Sequence, residues 1–182
     1  MLTKLERLIL SNQLQILKAL NLGDGEYYDE KIKILQRGYA HYYDQVMDMV
    51  SDDIPQQISD EVFLILNMFR TLSLSFDDLS GAGKAGIERE SVIFRGFSRH
   101  LEFQHFSFAS YVIEDDGGYG DFDKPEGCDS GAPMLPAYRS MLRQWALMGH
   151  KQTLSPDEIR FIAKPAFSIR FLEKWDRHSV NH

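Results

Sequence analysis

The stretch RLILSNQLQILKAL (7–20) decides the fold. At about 100° per residue, Leu5, Leu8, Ile9, Ile16, Ala19 and Leu20 fall on one stripe of a helix, and Leu10, Leu14 and Leu17 fall on a second stripe beside it. Only Lys4, Arg7, Ser11, Gln15 and Lys18 are left for water. Just ahead, Thr3 and Glu6 form T-x-x-E, a capping box in which the Glu reaches back to an amide that the helix start leaves unpaired. A helix apolar over more than half its circumference needs cover on two sides, so this segment predicts a layered helical body with a second layer or a second copy beyond it. Near the centre of the first stripe sits an amide, Asn12, followed by Gln13. A buried amide without partners costs about 1–3 kcal/mol, so Asn12 is expected to be hydrogen-bonded. It either fixes the register between helices or subunits or, with Gln13, reads a ligand or a partner's backbone.

Outward from this helix the pattern stays helical. Tyr28, Ile32, Leu35, Tyr39, Tyr42, Val46 and Met49 alternate spacings of four and three, the seam of one long helix over about 24–50 or of two joined near Gly38. After SDDIP, in which Pro55 suits a first helical turn, Ile58, Val62, Ile65, Leu66, Phe69, Leu72 and Phe76 define a third helix. Residues 97–113 permit a fourth, although SFASYVI alone also suits a strand, and a short β hairpin is allowed over 106–123. SGAGKAGIERE and EDDGGYGDFDKPEGCDSGAP read as loops, the second long enough to be functional. Tyr138, Met141, Leu142, Trp145 and Met148 mark a fifth helix. In LSPDEI, Ser155 caps, Pro156 pre-sets the first turn, Glu158 closes the box and Leu154 staples to Ile159. The fold class is mainly α, a single multihelical domain over 1–163, with 164–182 as an amphipathic extension packing on or beyond it.

Composition narrows the function. The 182 residues are 43% apolar and carry one cysteine, Cys128, which points to a reducing compartment and a core that needs no disulfide or metal staples. No apolar run approaches a membrane span, and MLTKLERLIL has neither a full h-region nor a cleavage site, so a soluble, cytoplasmic protein is expected. The net charge of −7 opposes nucleic-acid binding, and no basic cluster offsets it.

Catalytic templates break on required residues. Gly81, Gly83 and Gly86 match G-x-G-x-x-G, but SLSFDDLS is no buried strand to aim a helix at a pyrophosphate. Asp78 and Ala85 stand where a phosphate loop needs Gly and Ser or Thr. The acids of 114–123 invite a cation, yet the twelve-residue calcium register from Asp121 fails at Pro125, Glu126 and Ala132. A divalent site on Asp121 and Asp123 is the weaker alternative to a bland acidic turn. No histidines share the i, i+4 spacing of a zinc hydrolase, and no cofactor is expected.

RLILSNQ (7–13), RGY (37–39), VIFRGF (92–97), Glu102, GGYGDFD (117–123), PMLPAYRSML (133–142), Trp145 and LSPDEI (154–159) resemble, in this order, the characteristic segments of the YfbU family of bacterial proteins. The resemblance covers the chain to about Ala163 and implies a mainly helical, cytosolic, oligomeric protein; it brings no catalytic residues. Ser98 stands where the family usually has Asp. Two function classes follow. The first, which the failed templates favour, is a non-enzymatic regulatory or interaction module acting as a homo-oligomer with a groove for another protein. The second is a small-ligand binder or metal-assisted hydrolase built on the acidic loop with Glu102, Tyr119 and Arg139 around a cleft. The candidate binding residues are Asn12, Gln13, Tyr39, Glu102, Tyr119, Arg139 and Trp145.

Overall fold

The computed structural model describes residues 1–20, 25–119 and 128–164. Among the described residues every extended element is helical, as the periodicities predict, and the one β feature is an isolated bridge between Phe97 and Asp129. The chain divides into two compact units, Met1–Asp53 and Ile54–His182.

In the first unit, α1 (Lys4–Ala19) opens on the expected capping box: Thr3 Oγ1 accepts the Glu6 amide at 3.2 Å and Glu6 Oε2 accepts the Thr3 amide at 2.7 Å. α2 (Gly25–Arg37) packs antiparallel to it, with Arg7 against Leu35 near one end and Lys18 against Asp29 near the other. The seam over 24–50 is indeed broken at Gly38. That residue adopts φ +70°, and a β-carbon there would meet the Arg7 guanidinium at 2.5 Å, so glycine both ends the helix and admits the arginine. A 3-10 turn (Ala40–Tyr42) and the short α3 (Tyr43–Val46) follow.

The faces of α1 depart from the sequence expectation. Ser11 is its only buried residue, whereas Leu5, Leu8, Ile9, Ile16 and Leu20 are 65, 58, 49, 59 and 61% exposed. Toward α2 it turns Arg7, Ser11 and Lys18, three of the residues expected in water. The reason is that α2 offers these groups directional partners. Arg7 Nη1 donates to the Leu35 carbonyl at 3.0 Å, Lys18 pairs with Asp29 at 2.5 Å, and Ser11 Oγ accepts from Gln15 and Gln36 at 3.3 and 3.4 Å. Periodicity reports the width of an apolar stripe but not the side on which the neighbour stands.

The second unit is built around α4 (Gln56–Asp77), with Pro55 at its N-cap and Val62, Ile65, Leu66, Phe69, Leu72 and Phe76 buried along it. The glycine-rich stretch after it, expected as loop, folds into α5 (Gly81–Lys84), capped by Ser80, and a 3-10 turn (Arg89–Ser91). Phe69, Phe94, Phe97 and Tyr138 form an aromatic nucleus with ring centroids 5.0–5.8 Å apart. Tyr138 donates its hydroxyl to the Gly96 carbonyl at 3.0 Å and accepts the Arg95 amide at 3.2 Å. Gly96 has φ +86°, and a β-carbon there would lie 2.0 Å from the Cys128 carbonyl oxygen. That close approach lets the Phe97 amide reach Cys128 O at 3.0 Å and the Ser130 amide reach Phe97 O at 3.1 Å.

α6 (Phe103–Ser110) runs on into a π turn (Tyr111–Asp115), so 106–115 are helical where a hairpin was allowed. Phe106, Ala109, Val112 and Ile113 are buried at helical spacing, which a two-residue period could not achieve. α7 (Leu135–Leu147) follows, and a last helix, α8, covers 156–164. It starts as LSPDEI predicts: the Ser155 amide donates to Glu158 Oε2 at 2.9 Å, the Glu158 amide donates to Ser155 Oγ at 3.4 Å, and Leu154 and Ile159 are buried. The extension 165–182 lies outside the described residues.

Candidate functional site

In the first unit, Asn12 occupies the middle of the exposed stripe rather than the interior. Its amide has no hydrogen-bond partner among the described residues, and it lines a groove of about 420 Å³ with Lys4, Leu8 and Gln15 of α1 and Leu35 and Gln36 of α2. Arg7 and Ser11 also border this groove, and Arg7 Nε is buried without a partner. Gln13 is exposed and stands outside the groove. Tyr39 is exposed; its hydroxyl accepts from Arg37 at 3.3 Å, and that hydrogen bond holds the phenol below its usual range. The first unit also holds a buried cation the sequence reading missed. Lys31 Nζ lies 2.6 Å from the Tyr27 hydroxyl and 2.5 Å from Asp48, joining α2 to the segment after α3. Burial by itself pushes this ammonium down, but the hydrogen bonds it donates to Asp48 and Tyr27 outweigh that and leave it raised.

In the second unit the candidate ionisable residues hold structure together. Glu102 is buried, accepting the Ser98 amide at 2.9 Å and the Leu135 amide at 2.7 Å, so it ties a turn to the start of α7. Ser98 accepts the Leu101 amide on its own hydroxyl at 3.3 Å, a capping job an Asp side chain could also do. Arg139 grips Glu61 with two bonds, Nε to Oε1 at 2.7 Å and Nη2 to Oε2 at 2.8 Å, and His105 Nε2 reaches the same carboxylate at 2.9 Å. The Arg139 hydrogen bonds, opposed by burial and reinforced by His105, lower the Glu61 carboxyl to about 2. Glu61 and His105 were not predicted. The available signal was phase, since Glu61 is in register with the buried Ile65, Met68 and Leu72 and is therefore a carboxylate on an inward face.

Tyr119 and Trp145 are buried near a second groove, of about 330 Å³, whose lining among the described residues includes Asn67, Arg70, Trp145 and His150 and no carboxylate. Tyr119 donates to Asn67 Oδ1 at 2.8 Å beneath the Arg70 guanidinium, 4.5 Å from the ring centre, and burial raises its phenol. Trp145 Nε1 donates to the Lys151 carbonyl at 3.0 Å, with His150 edge-on to its ring. None of Glu102, Tyr119 and Arg139 is in this lining, and residues 120–123 of the acidic loop expected beside them lie outside the described residues. Asp121 and Asp123 lie outside the described residues. Among the described residues no group of three His, Cys, Asp or Glu is placed to hold a metal, and no helix is long and apolar enough to cross a membrane.

Such geometry defines a class: a small all-α protein whose buried ionisable groups staple its own helices and whose leading helix carries its grease outward. The family model of the YfbU domain matches residues 1–165, and the chain belongs to that family. It is similar to a UPF0304 protein of Methanocaldococcus jannaschii, 32% identical over 164 residues, 87% of this chain and 96% of the relative. It is also similar to a UPF0304 protein of Pasteurella multocida, 28% identical over 162 residues, 88% of this chain and 97% of the relative.

Proposed function

We propose that the protein is a non-enzymatic, cytoplasmic interaction module that works as a homo-oligomer through α1. The observation that carries this reading is the exposure of Leu5, Leu8, Ile9 and Ile16 on one helix whose single buried residue is a serine, with the C-cap Leu20 exposed beyond them. Contiguous apolar surface on this scale marks an association site more often than a free surface. The engagement of Glu61, Arg139 and Glu102 in structural bonds supports it, since each already serves a helix contact. The test is the solution mass of the parent and of a Leu8→Gln, Ile16→Gln double variant by size exclusion with light scattering. The parent is expected as an oligomer and the variant as a monomer with an unchanged helical spectrum. A monomeric parent at tens of micromolar rejects the reading.

A second reading, small-ligand binding, has one observation in its favour. His150, beside the second groove, holds φ +52°, a conformation that costs a non-glycine residue free energy. Thermal-shift screening of His150→Gly against the parent tests it: the variant should lose ligand-induced stabilisation while gaining intrinsic stability.

A further inference from the structure

The middle line of the exposed stripe of α1, Leu5, Leu8, Asn12, Ile16 and Ala19, is close to a palindrome about Asn12, while Ile9 and Leu20 at its edge are equidistant from Asn12 with Gln15 and Lys4. Pairing residues equally distant from Asn12 sets Leu5 opposite Ala19, Leu8 opposite Ile16 and Asn12 opposite itself, and all five residues are exposed. A two-fold interface requires a surface that complements itself, and a stripe that reads alike in both directions meets that requirement when two copies run antiparallel. The central residue fits the same symmetry, because a carboxamide carries both a donor and an acceptor and so can pair with its own image. Opposed helix dipoles favour the antiparallel arrangement as well.

Size is consistent with a specific contact. α1 is about 24 Å long at 1.5 Å per residue. Its exposed aliphatic side chains present on the order of several hundred Å² of apolar surface, the small end of the range for specific interfaces. The groove beside the stripe, lined in part by Leu8, Asn12 and Leu35, is open to receive side chains from an opposing helix.

We infer that α1 binds α1 of a second copy of this chain, antiparallel, with the two Asn12 amides facing each other at the two-fold axis. This rests on the homo-oligomer reading and adds its geometry. An amide at that point disfavours shifted and parallel registers, which would bury it against hydrocarbon.

The test uses the full chain with single cysteines on α1; the unsubstituted protein, whose Cys128 is buried, is the background. Under mild oxidation or a short bis-thiol reagent, Asn12→Cys should give a covalent dimer. The Leu5→Cys, Ala19→Cys double variant should do so too, whereas neither single change should, because equivalent ends then lie about 21 Å apart along the axis. The excess of covalent dimer over either single variant should be about tenfold or more, as positioned thiols react at high effective concentration. Efficient linkage of Leu5→Cys or Ala19→Cys alone means a parallel pair and overturns the geometry. An oligomer by mass in which Asn12→Cys stays unlinked places the interface elsewhere and also overturns it, leaving the homo-oligomer reading intact. A monomer by mass removes both, and then the stripe is covered by another segment of the chain or by another protein.

Discussion

The two units treat polarity in opposite ways. From Ile54 onward, Phe69, Phe94, Phe97 and Tyr138 are sealed from water, and the Glu61 carboxylate arrives paired with Arg139 and His105. Before Asp53, α1 turns a serine, an arginine and a lysine toward α2, keeps Leu10 and Leu14 half-buried and leaves Leu5, Leu8, Ile9 and Ile16 outside. Buried apolar surface holds a fold together without directional demand, whereas hydrogen bonds fix one arrangement and contribute less net free energy each. The second unit thus has the composition of a self-sufficient core. The first buries Ile32, Ile34 and Leu35, adds specific polar pairing, and leaves the large aliphatic side chains of one face of α1 uncovered, a face that gains stability if it is covered on association.

Four changes break or sharpen that contrast. The largest effect is expected from Gly96→Ala, which forces a β-carbon against the Cys128 carbonyl at a φ that side chains avoid. A loss of about 3–5 kcal/mol, read as a drop in denaturant midpoint, is expected. A change below 1 kcal/mol would show that the Gly96–Cys128 apposition is loose. Next comes Glu61→Gln, expected to cost about 2 kcal/mol at neutral pH. The carboxyl is lowered on folding, so its contribution is complete above pH 4.5 and is lost as pH falls from 4.5 toward 2. The variant should therefore show a flatter stability profile across that window and converge on the parent at its acid end, in melts recorded at each pH. Glu158, also lowered to about 2 by Lys151 and Ser155, keeps part of the acid limb in both proteins.

Ser11→Ala comes third: it removes the acceptor shared by Gln15 and Gln36 and should cost about 1 kcal/mol in chemical denaturation. The smallest effect on a single chain is expected from Leu8→Gln with Ile16→Gln, within about 0.5 kcal/mol under conditions that keep the protein dissociated. The same pair should raise the dissociation constant of the assembly by orders of magnitude, measured by analytical ultracentrifugation. A large intrinsic loss from these exposed positions would mean that α1 supports its own unit more than its exposure indicates.

Legibility followed the same divide. In the second unit the apolar spacing of Val62, Ile65, Phe69 and Leu72 named the inward face of α4 correctly, because a helix surrounded by core on one side has a single solution. Capping chemistry was equally readable at Thr3–Glu6 and Ser155–Glu158, where the bonds join residues three apart and need no knowledge of tertiary structure. For α1 the helix and its capped start were legible and its faces were not. Two apolar stripes do not say on which side α2 stands, and the polar contacts of Arg7 to the end of α2 and of Lys18 to Asp29 join residues outside any one helix window. Asn12 lies in the stripe the spacing assigns it, and on the single chain that stripe is exposed. The Glu61–His105–Arg139 cluster was obscure because its members lie 44 and 78 residues apart, so no local window contains two of them.

The tight apposition of Gly96 and Cys128 places the chain's sole thiol where solvent does not reach it. Alkylation at that sulfur then requires the strands of backbone around it to part, so the labelling rate in a dilute reagent is a clock for that opening. Because the thiol is native, the clock comes built in: timed mass spectrometry of the unaltered protein reads how often the heart of the second unit breathes, and whether self-association quiets it.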